Sequence, residues 1–277
     1  MEFWINVLKV LDTQIEEPAC YGIFHICWLA AMLLATVYLC VFRKNDSAET
    51  VRKVVFGVAL TVIVLEVYKM INYSFSYDDG KITFGFQWYA FPFQFCSTPM
   101  YVGLLAGLIK KGKVHNALCA YLATFAIFAG LAVMIYPGDV FTETLGIDIQ
   151  TMICHGTMLP IGAYLYATGH VKLEHKTILK ALCVFTVTIG IAIILNEVAH
   201  ATGLLENHNF NMFYISPYLP STLPVYSLVY AAVPYAASLV IYIAGFTGAA
   251  YIMLLSAMGI RRLANGKKGA QEVTPVN

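Results

Sequence analysis

Charge is scarce in this chain. Only 12% of its 277 residues are Asp, Glu, Lys or Arg, while 59% are hydrophobic and the mean hydropathy is +0.70. Soluble domains carry about a quarter charged residues, so the composition excludes that class and points to an integral membrane protein. With a formal net charge of +1 there is no basic surplus to bind nucleic acid, and no such partner is expected.

Other absences narrow the chemistry. The seven cysteines (20, 27, 40, 96, 119, 154, 183) include no C-x-x-C and are scattered among apolar stretches, which excludes a small disulfide scaffold. No G-x-S-x-G marks a serine hydrolase. His25, His155, His200, Glu66 and Cys96 show no metal-ligand spacing, so neither a metal nor another cofactor is expected. Asp12, Glu16 and Glu17 precede the first apolar run where a secretory leader needs positive charge, so no cleaved signal is expected. No internal repeat suggests an inverted-repeat transporter. Lys69 is the sole lysine away from the ends of the apolar runs and sits near Glu66, which disfavours a retinal attachment site.

What is present is a series of apolar runs. Spanning ~30 Å of hydrocarbon takes about 20 residues, and such runs lie at 20–42, 51–75, 90–110, 114–136, 150–170, 178–201 and 229–258. The expected architecture is an all-α, polytopic fold of seven transmembrane helices. Three parts follow: an amphipathic extracytoplasmic segment (1–19), a seven-helix domain (20–260) and a basic, disordered tail (261–277). Phe3, Trp4, Val7, Leu8 and Leu11 recur at helical spacing in the first part, as in a helix lying at the interface.

The basic residues orient the bundle. Lys9, Lys69 and Lys81 aside, every Lys and Arg falls in the connections between spans 1 and 2, 3 and 4, 5 and 6, or after span 7. The positive-inside rule then places the amino terminus outside and the carboxyl terminus in the cytoplasm of a cell-membrane protein. The connection 202–228, rich in Asn, Tyr and Pro, reads as a lid.

Polar residues inside the spans gather near the ends remote from the lysines. His25, Glu66, Lys69, Asn72, Gln94, Cys96, His155, Asn196, Glu197 and His200 share that level. Each is costly in hydrocarbon without a partner, so a common depth implies a shared cavity. Glu66 and Lys69 at i, i+3 are placed to pair. A membrane cysteine is ordinarily a small hydrophobe. Cys96, however, follows Gln94 between Pro92 and Pro99, and His155 supplies a base at matching depth, the combination that turns a thiol into a nucleophile.

These segments resemble the YwaF family of bacterial membrane proteins, related to the eukaryotic transmembrane protein 164 acyltransferases. Pro92-Phe93-Gln94-Phe95-Cys96 is similar to the family's Pro-Leu-His-Leu-Cys, with Gln94 in place of its histidine. Tyr136-Pro137 followed by His155, and Asn196, Asn209-Phe210, Pro217 and Pro234-Tyr235, complete the likeness, with Ser216 where a lysine is common. The resemblance implies seven helices, a Cys96 nucleophile with a His155 base, and acyl transfer between phospholipid and lysophospholipid. Gln94, Glu66, Lys69, Asn72, Asn196, His200, His25 and Asn209 are the expected supporting or substrate-binding residues. The rival reading is a non-enzymatic seven-helix transporter or receptor holding a small ligand in the same cavity.

Overall fold

A computed structural model describes residues 2–138, 140–206 and 209–271. The first segment forms α1 (Glu2–Leu11), followed by two long apolar helices, α2 (Ile23–Phe42) and α3 (Ala48–Ser74). Ser47 caps α3: its side chain accepts the Thr50 N–H at 3.2 Å, satisfying one of the donors that a helix start leaves open. A two-stranded hairpin follows, β1 (Phe75–Asp78) pairing antiparallel with β2 (Lys81–Phe84). Its two-residue turn is Asp79-Gly80, both at positive φ (44° and 75°), the conformation that matches strand twist.

The remaining helices are α4 (Thr98–Leu108), α5 (Lys113–Leu122), α6 (Phe125–Ile135), α7 (Leu145–Gly156), α8 (Met158–Ala167), α9 (Lys176–Ala201), α10 (Tyr226–Ala232) and α11 (Tyr235–Gln271). Among the described residues five stretches are long and apolar enough to cross a membrane: α2, α3, the joined α5 and α6, α9, and α11 as far as Asn265. The chain is thus a mostly helical integral membrane protein.

The third and fifth expected spans take a different form. The run 90–110 is helical only from Thr98, because Pro92 offers no N–H to a helix and residues 91–97 form turns instead. The run 150–170 is divided between α7 and α8 at Thr157; Pro160 withholds the N–H that would bond Gly156, and its ring crowds that carbonyl. Pro234 likewise separates α10 from α11, with Val233 extended before it. α11 runs past the expected domain limit at 260, and residues 272–277 of the expected tail lie outside the described residues.

Small residues let helices approach. Gly103 and Gly107 on α4 face α3, in the small-xxx-small spacing of membrane helix pairs. A Cβ at Gly107 would stand 2.4 Å from the Phe56 Cβ, whereas one at Gly57 would meet nothing within 4 Å. Gly107→Ala is therefore expected to cost about 1–3 kcal/mol through overpacking, with Gly57→Ala neutral or better. Thermal unfolding in detergent checks the contrast; equal effects would refute this account of the α3–α4 contact.

The core lies against this pair. Phe125 and Phe185 stack at 4.5 Å between centroids and Phe95 meets Phe246 at 4.8 Å, so the turn carrying Cys96 is anchored by its aromatic neighbour.

Candidate functional site

α3 and α4 run antiparallel, with Gly103 opposite Val55 and Ala59. Counting back along one and forward along the other brings the Cys96 turn to the level of Glu66. Cys96 is half-buried, just ahead of the α4 N-terminus. Glu66 and Lys69 on α3 are within electrostatic range of it.

Those two residues form a buried ion pair, as their spacing led one to expect. Glu66 uses its other oxygen to accept from Gln150 Nε2 of α7 at 2.9 Å. The Thr151 hydroxyl donates to Gln150 Oε1 at 3.4 Å, and the Thr151 carbonyl accepts from His155 Nδ1 at 2.8 Å. Because a carbonyl can only accept, the proton is on Nδ1. Nε2 is thereby left with its lone pair, buried and without a hydrogen-bond partner. Lys69, Glu66, Gln150, Thr151 and His155 thus make one connected chain across two helices, and Lys69 is also within electrostatic range of His155.

The Cys96 thiol and the His155 imidazole do not hydrogen-bond in this structure, since Nε2 has no partner and Nδ1 is taken by Thr151. A thiol–imidazole contact does occur elsewhere: Cys119 Sγ lies 3.6 Å from His115 Nε2, while His115 Nδ1 donates to the Ala106 carbonyl at 3.2 Å. Cys119 is only 2% exposed and lines none of the cavities described below, so it satisfies a buried polar pair and meets no substrate.

Several expected site residues are spent on the scaffold. His25 accepts the Tyr21 N–H at 2.9 Å and donates to the Met134 carbonyl at 2.8 Å, leaving neither nitrogen available. Asn72 donates to Leu11 O at 3.2 Å, tying the end of α1 to α3. His200 is exposed and stacks on Tyr218 at 3.6 Å, and the Tyr218 hydroxyl donates to Glu197 at 2.7 Å. Asn209 is exposed at a separate cavity of about 300 Å³ that Gln94, Asn211 and Tyr214 also line.

Gln94 and Asn196 have a shared task. Gln94 Nε2 donates to Asn211 O at 2.9 Å and Gln94 Oε1 accepts the Phe213 N–H at 2.8 Å. Asn196 Nδ2 donates to Met212 O at 3.1 Å and Asn196 Oδ1 accepts the Met212 N–H at 2.8 Å. Two amides therefore clamp three consecutive residues. Met212 and Phe213 are fully buried, so the 202–228 connection dips into the bundle instead of crossing above it. The clamp holds Phe213 and Tyr214 at φ 58° and 56°, a conformation that costs a bulky residue energy. Asn196→Leu should cost about 1–3 kcal/mol by leaving buried peptide groups unpaired. Limited proteolysis would register it as faster cutting within 209–222; unchanged resistance would refute the clamp.

Gln150, Thr151 and Asn211 were missed by the sequence reading. For Gln150 the signal was its position five residues before His155, at the head of an apolar run facing Glu66. Among the described residues no group of three or more His, Cys, Asp or Glu is arranged to hold a metal ion.

Spanning helices and a buried ion pair on α3 tied to α7 through Gln150, with a thiol and an imidazole at its level, define a polytopic membrane protein with a polar interior. The family follows from the sequence: the TMEM164 family model matches residues 20–257, and the chain belongs to that family. No curated protein matches it, and no solved structure does.

Proposed function

We propose that the protein is a thiol-dependent lipid acyltransferase of the cell membrane, moving an acyl chain from a phospholipid to a lysophospholipid. The observation that carries this reading is the unoccupied, buried lone pair of His155 Nε2, held by Nδ1–H on the Thr151 carbonyl and sharing Lys69 with Cys96. In this reading the chain crosses the membrane seven times, α4 with its preceding turns and α7 with α8 completing the count. The basic connections are cytoplasmic, and α1, the hairpin and the clamped loop lie outside.

In the reactive arrangement Cys96 Sγ comes within reach of His155 Nε2. Nε2 takes the thiol proton as sulfur attacks the ester carbonyl of the donor lipid. Among the described residues the N–H groups of Phe95 and Cys96 donate to no backbone carbonyl, and they are the candidates to receive the oxyanion. The tetrahedral intermediate collapses with cleavage of the ester C–O bond; the leaving lysophospholipid oxygen takes the proton from His155, and a thioester remains. An acceptor hydroxyl then gives its proton to His155 and attacks the thioester. The C–S bond breaks and the thiolate recovers the proton.

Lys69 lies within electrostatic range of Cys96, and Glu66 with Gln150 keeps that ammonium in place. Mass spectrometry after exposure to phospholipid alone tests the proposal. The expected adduct is one acyl chain on the peptide carrying Cys96, released by hydroxylamine; transfer that proceeds without it would overturn the reading.

A further inference from the structure

A groove of about 300 Å³ runs along the flank of α3, walled by that helix, the hairpin and the Pro92 turn. Val67 and Ile71 on its edge are 55% and 37% exposed, and Phe84 of the hairpin is 63% exposed. On a membrane-spanning helix such a face meets hydrocarbon, so the groove opens sideways to lipid.

Three side chains with polar groups interrupt the apolar lining, Glu66, Ser74 and Tyr101, and the Tyr101 hydroxyl donates to the Pro92 carbonyl at 2.9 Å. Glu66 is occupied by Lys69 and Gln150. Ser74 is not: it is 4% exposed, and its Oγ has no hydrogen-bond partner. A buried hydroxyl without a partner is rare in folded proteins and calls for an explanation. At 1.5 Å per residue Ser74 stands about 12 Å from Glu66 along α3, at the end of the span.

Met100 is the wall between this groove and a second cavity. That inner cavity, about 40 Å³, is lined by Val55, Ala59, Val62, Gly103, Ala126 and Cys154 among others, and no charged residue borders it. Methionine is unbranched and flexible, suited to a partition that moves.

We propose that the two cavities form a single slot for a membrane phospholipid, with Ser74 at its polar head, Glu66 at the level of its ester and Met100 where the acyl tail passes inward. The assignment rests on the acyl-transfer reading, for which it supplies the substrate's path. The Ser74 hydroxyl donates to a headgroup oxygen, which accounts for its unmet donor. The ester then lies level with Cys96. The tail displaces the Met100 side chain and ends against Ala59 and Gly103, so these small residues set how much chain the slot admits.

Photolabelling of the Cys96→Ala protein in nanodiscs separates binding from chemistry. The probe is a phosphatidylcholine carrying a diazirine at the end of one acyl chain, at trace level in unlabelled phosphatidylcholine. Labelling is expected on the peptides containing Ala59 and Met100, and Val67→Trp, which fills the groove from its exposed edge, should reduce it about tenfold. Circular dichroism and thermal unfolding of the Val67→Trp protein establish that it is folded. Should it misfold, Ile71→Trp is the substitute. Label spread evenly over the lipid-facing helices, or unchanged by the filling variants, would overturn the slot. Concentrated labelling together with a wild-type protein that forms no thioester would retain the slot and remove the acyl-transfer reading.

Discussion

On the acyl-transfer proposal, Cys96→Ala is expected to abolish both the acyl adduct and the transfer of labelled acyl chains to lysophospholipid, a loss of roughly 10³-fold or more, as when a covalent nucleophile is removed. The loss should be catalytic and not structural. Cys96 is only half-buried and sits in a turn held by its neighbours, Gln94 on the clamped loop and Phe95 on Phe246, so truncation leaves the scaffold intact. Melting temperature and lipid photolabelling should therefore match wild type while turnover disappears. Cys96→Ser must behave like Cys96→Ala, because an imidazole and one ammonium that suffice for a thiol do not activate a hydroxyl of much higher pKa. His155→Gln should lower turnover by about 10²- to 10⁴-fold, the range for a positioned general base. Undiminished transfer by Cys96→Ala would end the thiol mechanism. If instead Cys96→Ser left the phenotype intact and Glu66→Gln removed it, the site would be a ligand-binding one without covalent chemistry.

Lys69→Met is the substitution with the largest expected effect on stability. Glu66 is 4% exposed, and its pairing with Lys69 is the most deeply buried ion pair among the described residues. Removing the ammonium strands a carboxylate in low dielectric with Gln150 as its remaining partner, and breaking such pairs from one side costs about 3–5 kcal/mol. Replacing both partners removes both charges and the reason for the penalty. The double variant Glu66→Gln/Lys69→Met should thus recover most of the lost stability while, on the proposed mechanism, remaining poorly active, since the ammonium near Cys96 is gone. Thermal unfolding in detergent, read beside turnover, checks this; a double variant no more stable than Lys69→Met would show that the two side chains are not coupled.

Much of the helical frame was legible because hydropathy measures the cost of burial directly. Five runs became stretches of spanning length, one of them α5 joined to α6, and the Glu66 and Lys69 spacing became an ion pair. Three runs are interrupted at prolines, a backbone effect that a hydropathy window does not weigh: Pro92 before α4, Pro160 within α8 and Pro234 ahead of α11. The hairpin was announced by Asp79-Gly80, a local signal overlooked between two strong apolar runs. The shared depth of the polar residues is a statement about level, and depth does not specify direction around a helix. His25 and Asn72 point to backbone carbonyls, His200 to an exposed tyrosine, and Gln94 and Asn196 to the inserted loop. Gln150 entered the site because α7 turns it toward Glu66, a relation between helices that no single stretch of sequence contains.

The two amides that hold residues 211–213 carry no charge and do not titrate in any physiological range. The hold on residues 211–213 therefore does not loosen through a change of charge on either amide, and releasing them is a matter of mechanical or ligand-driven displacement.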